Sequence, residues 1–143
     1  MATINKFEDM EAWQLARKLC KRIHELFESK KDFKDFGLKT QMYNSSGSIM
    51  DNIAGGFERN GKNELRQFLS IAKGSAGELR SQNYRLLDKN VISEIEFNEV
   101  KLEIETISKK ISNLMSYLKE TEYKGTKFAE PEVEYLLGMN LEL

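Results

Sequence analysis

The stretch SEIEFNEVKLEIETISKKISNLMSYLKE, residues 93–120, decides the fold. Its apolar residues Phe97, Val100, Ile104, Ile107, Ile111, Leu114 and Leu118 recur at spacings of three and four. A repeat near 3.5 residues is the seam that helices bury against one another in left-handed antiparallel bundles. The start of this helix is specified twice. Ser93 and Glu96 form a capping box, each side chain satisfying the other residue's free amide, and Ile92 and Phe97 stand at the positions of a hydrophobic staple. The spacing predicts a helix from Glu94 to about Glu120.

Working back along the chain, a helix over about Asn63–Asp88 carries the seam Leu65, Phe68, Ala72, Ser75, Leu79, Gln82, Leu86. Asn90, which tolerates the left-handed conformation, predicts its C-terminal end and leaves only a short turn before residue 93. The two helices are therefore expected to be antiparallel neighbours. A first helix over about Asp9–Glu28 follows Trp13, Ala16, Cys20, Ile23 and Phe27, with Asp9 as its expected N-cap. The second segment, about Leu38–Phe57, has a thin apolar line of Leu38, Met42, Ile49 and Ile53 among Asn, Ser and Gly residues that disfavour helix. Gly74, Ser75 and Gly77 make a matching patch in the third helix. Folding the pair at Asn60-Gly61 sets Gly47 level with Gly74. Close backbone approach is then expected there, with Ser45, Ser48 and Ser75 able to hydrogen-bond across. Gly47, Ser48, Asn52, Gly56, Gly74 and Ser75 are the expected packing or assembly residues.

Composition agrees with helices. The one proline among 143 residues is Pro131, where average usage gives about seven, so no fixed backbone break interrupts the first 130 residues. The expected domain is a bundle over residues 1–122. Residues 123–143 form an extension in which Pro131 can open a short docking helix through Val133, Leu136 and Leu137. The single Cys20 excludes an internal disulfide framework and multi-cysteine zinc, and the single His24 excludes a two-histidine metal site. MATINKFEDMEAW lacks the apolar core of a secretory signal, and no apolar run approaches a membrane span, so a cytoplasmic protein with no membrane partner is expected.

Catalytic patterns are missing. There is no P-loop, no G-x-G-x-x-G, no nucleophile elbow and no Glu-x-x-His pair for a di-iron bundle. Cys20 reads as a small hydrophobe, His24 as a boundary residue, and Asp51 and Glu78 as solvated or capping carboxylates. No enzyme and no cofactor are expected.

The basic residues say more. Net charge is −1, but residues 1–90 carry 16 Lys+Arg against 12 Asp+Glu, while residues 91–143 carry 6 against 11. Arg59, Arg66, Lys73 and Arg80 recur every seven residues and span about 30 Å along a helix. Arg17, Lys18, Lys21 and Arg22 add a cluster on the first helix. Such a row suits nucleic-acid phosphates, since each contact releases condensed counterions. A solvated outer face is the plain alternative. No aromatic residues interleave with the row, which argues against a base-stacking platform.

Three ordered motifs carry a family resemblance: F-E-D-M-E-A-W-Q at 7–14, S-I-x-x-N-I-A-x-G at Ser48–Gly56, and F-L-x-I-A-x-G-S-x-x-E-L at Phe68–Leu79. Over about residues 5–120 the chain resembles the bacterial four-helix-bundle family, the 23S rRNA intervening-sequence proteins. That family includes the accessory variability determinant of diversity-generating retroelements. The resemblance implies an up-down bundle in a homopentameric ring. For the retroelement members it also implies binding of nucleic acid and a reverse transcriptase partner. The chain departs from the family at Gly55, where an acidic residue is usual, and at Tyr43-Asn44-Ser45, where basic residues are frequent.

The expectation is an all-α, antiparallel up-down four-helix bundle that assembles into a closed homo-oligomer. Two functions from different classes follow. One is a nucleic-acid accessory protein that holds RNA or DNA through Arg66, Lys73 and Arg80, with Arg59, Arg17 and Lys21. The other is a protein–protein scaffold that uses the small-residue patch or the tail.

Overall fold

The computed structural model describes residues 3–121 and 128–131. It contains four helices: α1 (Glu11–Ser29), α2 (Phe36–Glu58), α3 (Lys62–Asp88) and α4 (Glu94–Glu120). A 3-10 turn at Phe7–Asp9 precedes α1, and two short strands, β1 (Thr3–Ile4) and β2 (Phe128–Ala129), pair antiparallel. The chain is an all-α bundle with one core.

All seven seam residues of α4 are buried. Its capping box is formed, with the Ser93 amide donating to Glu96 Oε1 at 3.0 Å and the Glu96 amide donating to Ser93 Oγ at 3.1 Å. Asn90 takes the left-handed conformation at φ 59°. The amides of Asn90 and Val91 then satisfy the carbonyls of Leu87 and Leu86, so α3 ends in a Schellman motif. The buried face of α3 includes Leu69 and Asn83, whereas Phe68 and Gln82 are half-buried. The reason is that α3 packs on both α2 and α4, which widens its buried stripe beyond a single seam.

α2 is continuous despite its composition, because its polar side chains find local partners. Asp35 caps it by accepting from the Leu38 amide at 3.0 Å. The Ser46 hydroxyl bonds back to the Met42 carbonyl at 2.9 Å. Asn52 Nδ2 donates to the Ser48 carbonyl and hydroxyl, and the Ser48 and Ser75 hydroxyls meet at 2.8 Å across the α2–α3 contact. Along that contact Asp35, Gln41 and Ser48 meet Lys89, Arg85 and Ser75, so residue numbers rise on one helix as they fall on the other.

Two expectations are corrected. The close approach lies elsewhere: a Cβ added at Gly47, Gly74 or Gly77 meets nothing within 4 Å. At Gly56 it would sit 2.6 Å from Phe68 Cβ and 3.1 Å from Leu65 Cδ1. Level pairing runs from Ser48 to Ser75, which turns the three open glycines away from the contact. The second correction concerns the start of α1. Asp9 ends the 3-10 turn, and Met10 occupies the N-cap with no side-chain bond. The cap comes from Glu130, whose two carboxylate oxygens accept from the Glu11 and Ala12 amides at 2.7 and 3.1 Å. The buried face of α1 uses Ala12, Leu19 and Leu26, leaving Trp13 and Cys20 half-buried. The docking helix expected after Pro131 lies outside the described residues.

These contacts lead to two expected outcomes. Gly47→Ala should raise stability by about 0.5–1 kcal/mol, because it removes a flexible helix-interior residue without a clash. Gly56→Ala should instead lower it by roughly 1–3 kcal/mol through overpacking on Phe68. Denaturant midpoints distinguish the two signs. Acid sensitivity is the second. The Leu38 amide, and then Lys89, hold the Asp35 carboxyl below its usual value; the Ser93 amide, and then Lys30, do the same for Glu96. Carboxyls lowered by folding stabilise at pH above about 4 and lose that contribution as pH falls through their depressed values. Thermal melts between pH 7 and pH 2.5 should therefore drop less steeply for Asp35→Asn with Glu96→Gln than for the parent.

Candidate nucleic-acid interface

Seven residues are almost two helical turns, so Arg66, Lys73 and Arg80 follow one stripe of α3 that drifts by about 20° per step. At 1.5 Å per residue the three span about 21 Å. Lys73 is exposed and has no acidic partner among the described residues. Arg80 is half-exposed, and its nearest carboxylate is Glu105 at 3.9 Å, which also lies 3.6 Å from Lys101. An exposed pair at that distance is worth no more than about 1 kcal/mol, so a phosphate can displace it. Arg66 is half-buried, and its Nε is out of water without an acceptor. Arg59 caps the C-terminal end of α2 and lies 5.2 Å over the ring of Phe68, on the side of α3 that packs against Gly55 and Gly56. Close by, Lys62 Nζ donates to the Thr121 carbonyl at 3.2 Å.

The first-helix cluster falls elsewhere. α1 packs on α2 and α4, as α3 does, which sets α1 and α3 across the bundle from each other. Arg17 stacks over Trp13 at 5.9 Å, and exposed Lys21 lies 4.0 Å from Glu25. Within one chain, Arg17 and Lys21 form a second patch rather than extending the α3 row. The period of a helix does not say which helices become neighbours, so the sequence left open how this cluster lies relative to the α3 row.

Three acidic residues of the second half, Glu96, Glu99 and Glu103, are paired on the α1–α4 seam. Arg22 bonds Glu99 at 2.5 Å and reaches Glu103 at 3.4 Å, and Lys30 bonds Glu96 at 3.2 Å. Burial, abetted by Glu99, pushes the Glu103 carboxyl up against the pull of Arg22. Further along the same seam Lys110, the one buried basic residue among those described, pairs with Glu11. These pairs engage four carboxylates away from the α3 row, whose one acidic neighbour among the described ion pairs is Glu105.

The remaining candidates hold structural places. The Cys20 thiol donates to the Ser46 carbonyl at 3.2 Å, and burial pushes its pKa up, away from the nucleophilic thiolate. His24, Asp51 and Glu78 are exposed. Among the described residues no group of His, Cys, Asp and Glu side chains could hold a metal ion, and no helix is long and apolar enough to cross a membrane. The small residues divide. Ser48, Asn52, Gly56 and Ser75 work inside the α2–α3 contact, while Gly47 and Gly74 open outward. Sequence reading missed the Lys39 ammonium, held within 5.8 Å of the rings of Phe27, Phe33 and Phe36. The clustered aromatics at 27, 33 and 36 were its only signal.

This geometry can be set beside known proteins. No curated protein matches the chain. A solved structure of a protein of unknown function from the S23 ribosomal protein family of Bacteroides thetaiotaomicron superposes with a TM-score of 0.65 at 17% identity. The match covers 76% of this chain and 98% of that one, and it shows a shared fold. The family model for the 23S rRNA-intervening sequence protein matches residues 8–113, from the turn before α1 to near the end of α4. With its bundle, its ordered motifs and this match, the chain belongs to the 23S rRNA-intervening sequence protein family.

Proposed function

We propose that this chain is a non-enzymatic accessory protein that holds the phosphates of RNA or DNA along the α3 row. The observation that carries the reading is the heptad-spaced stripe, in which Lys73 has no acidic partner among the described residues and Arg80 is only weakly engaged. Three cations about 10 Å apart meet a polyanion along its length, with no stacking aromatic between them. Arg59, at the hairpin end of the bundle, would add a further cation to this reading. In this reading the protein is a cytoplasmic up-down bundle assembled as a closed homo-oligomer, a pentamer on the family resemblance. Its partner is a reverse transcriptase or another nucleic-acid enzyme. Several copies of one modest site would act together on a long polymer.

A second reading, a protein–protein scaffold, is favoured by one specific observation. Gly47 on α2 and Gly74 and Gly77 on α3 each leave open space where a Cβ would stand, and Ile71 on α3 is 49% exposed. A neighbouring helix could approach such positions closely.

Fluorescence anisotropy with labelled duplex DNA and structured RNA, on nuclease-treated protein, separates the two. Lys73→Glu with Arg80→Glu should weaken binding by at least about tenfold at low salt and leave the thermal melt unchanged. Arg17→Glu with Lys21→Glu should weaken it much less. Affinity retained in the α3 variant contradicts the assignment. Absence of binding by the parent, together with recovery of a polypeptide partner after nuclease treatment, establishes the scaffold reading instead.

A further inference from the structure

Residues 128–131 close onto the start of the bundle through three kinds of contact. Ala129 and Phe128 pair with Thr3 and Ile4 in the two-stranded ladder. The Phe128 ring, 6% exposed, packs on Phe57 with centroids 5.8 Å apart. Glu130 spans a separation of 119 residues to cap α1 through the Glu11 and Ala12 amides. Those two amides precede the first internal bond of the helix, from the Gln14 amide to the Met10 carbonyl, and so have no acceptor within α1. Met10 at the N-cap offers none.

We propose that residues 128–131 are a releasable clasp, giving the bundle a clasped and an unclasped state that interconvert without unfolding the four helices. The contacts described above, a two-residue ladder, the Phe128–Phe57 ring pair and one carboxylate, specify the closed position. Such elements open at lower free energy than a packed helix pair. Closure also confines a carboxylate. Burial pushes Glu130 up, and the Glu11 and Ala12 amides, Lys110 and the opposing Glu11 carboxylate are the groups that act on it. Release uncovers Phe57 and leaves two unbonded amides at the positive end of a 19-residue helix beside Lys110. Residues 128–131 are thereby part of the bundle's working surface, independent of whether the α3 row binds nucleic acid.

Amide hydrogen exchange on the full chain, followed residue by residue at several sub-denaturing urea concentrations, tests this. In the parent protein Glu11 and Ala12 should exchange at least tenfold slower than unprotected amides. They should do so through an opening that depends only weakly on urea, while Ile53 and Ala76 exchange with steep, global dependence. Glu130→Ala and Phe128→Ala should each speed exchange at Glu11 and Ala12 at least tenfold and leave Ile53 and Ala76 unchanged. Unprotected Glu11 and Ala12 amides in the parent overturn the clasp. So does exchange of these amides only by the same steep opening as Ile53, which would make the segment an inseparable part of the core. The parent measurement decides even where a variant folds poorly.

Discussion

The structure hangs on the place where α2 and α3 come close enough for one backbone to feel the other's side chains. Gly56 admits Phe68 and Leu65 to a distance that no side chain at that position would allow. The Ser48–Ser75 hydroxyl bond fixes the register about two turns further along. Once these contacts set the rotation of α3 about its axis, its other residues have no freedom of direction. Leu65, Leu69, Ala72, Ala76 and Leu79 turn into the core, and Lys73 and Arg80 are left outside. The same contact explains a composition that propensity alone would reject. Serine and asparagine weaken a helix when their side chains compete for the backbone. Here they bond to one another, to the preceding turn and across to α3, so the competition is resolved in favour of the helix.

Charge is distributed by the same architecture. The α1–α4 seam relies on ion pairs where α2–α3 relies on close packing. Arg22, Lys30 and Lys110 neutralise Glu99, Glu103, Glu96 and Glu11 along it. Exposed pairs contribute little to stability, so their main effect is on the outer potential. A chain of net charge −1 can thus carry a basic row on α3 while Glu96, Glu99, Glu103 and Glu11 are engaged on the α1–α4 seam.

What was legible in the sequence follows from how local each signal is. The capping box at Ser93, the left-handed Asn90 and the seven-residue seam of α4 need only neighbours within a turn or two, and each stands as read. Three features were not local. The cap of α1 comes from a carboxylate 119 residues away, while a plausible local donor, Asp9, sat nearby and went unused. The close approach belongs to Gly56 rather than Gly47, because mirror counting from a turn fixes a level but not a rotation. The site was half legible for the same reason. Heptad spacing placed Arg66, Lys73 and Arg80 on one stripe, but no period reveals that α1, carrying Arg17 and Lys21, lies across the bundle.

The account stands most directly on the stripe meeting phosphates through charge. The salt dependence of duplex DNA binding by the unmodified protein measures that. Three released counterion sites per engaged stripe predict a linear fall of log affinity with log salt, of slope about −3 and steeper if several copies bind together. Binding that is indifferent to salt, or no binding at the lowest salt, would mean that Arg66, Lys73 and Arg80 are only a solvated face.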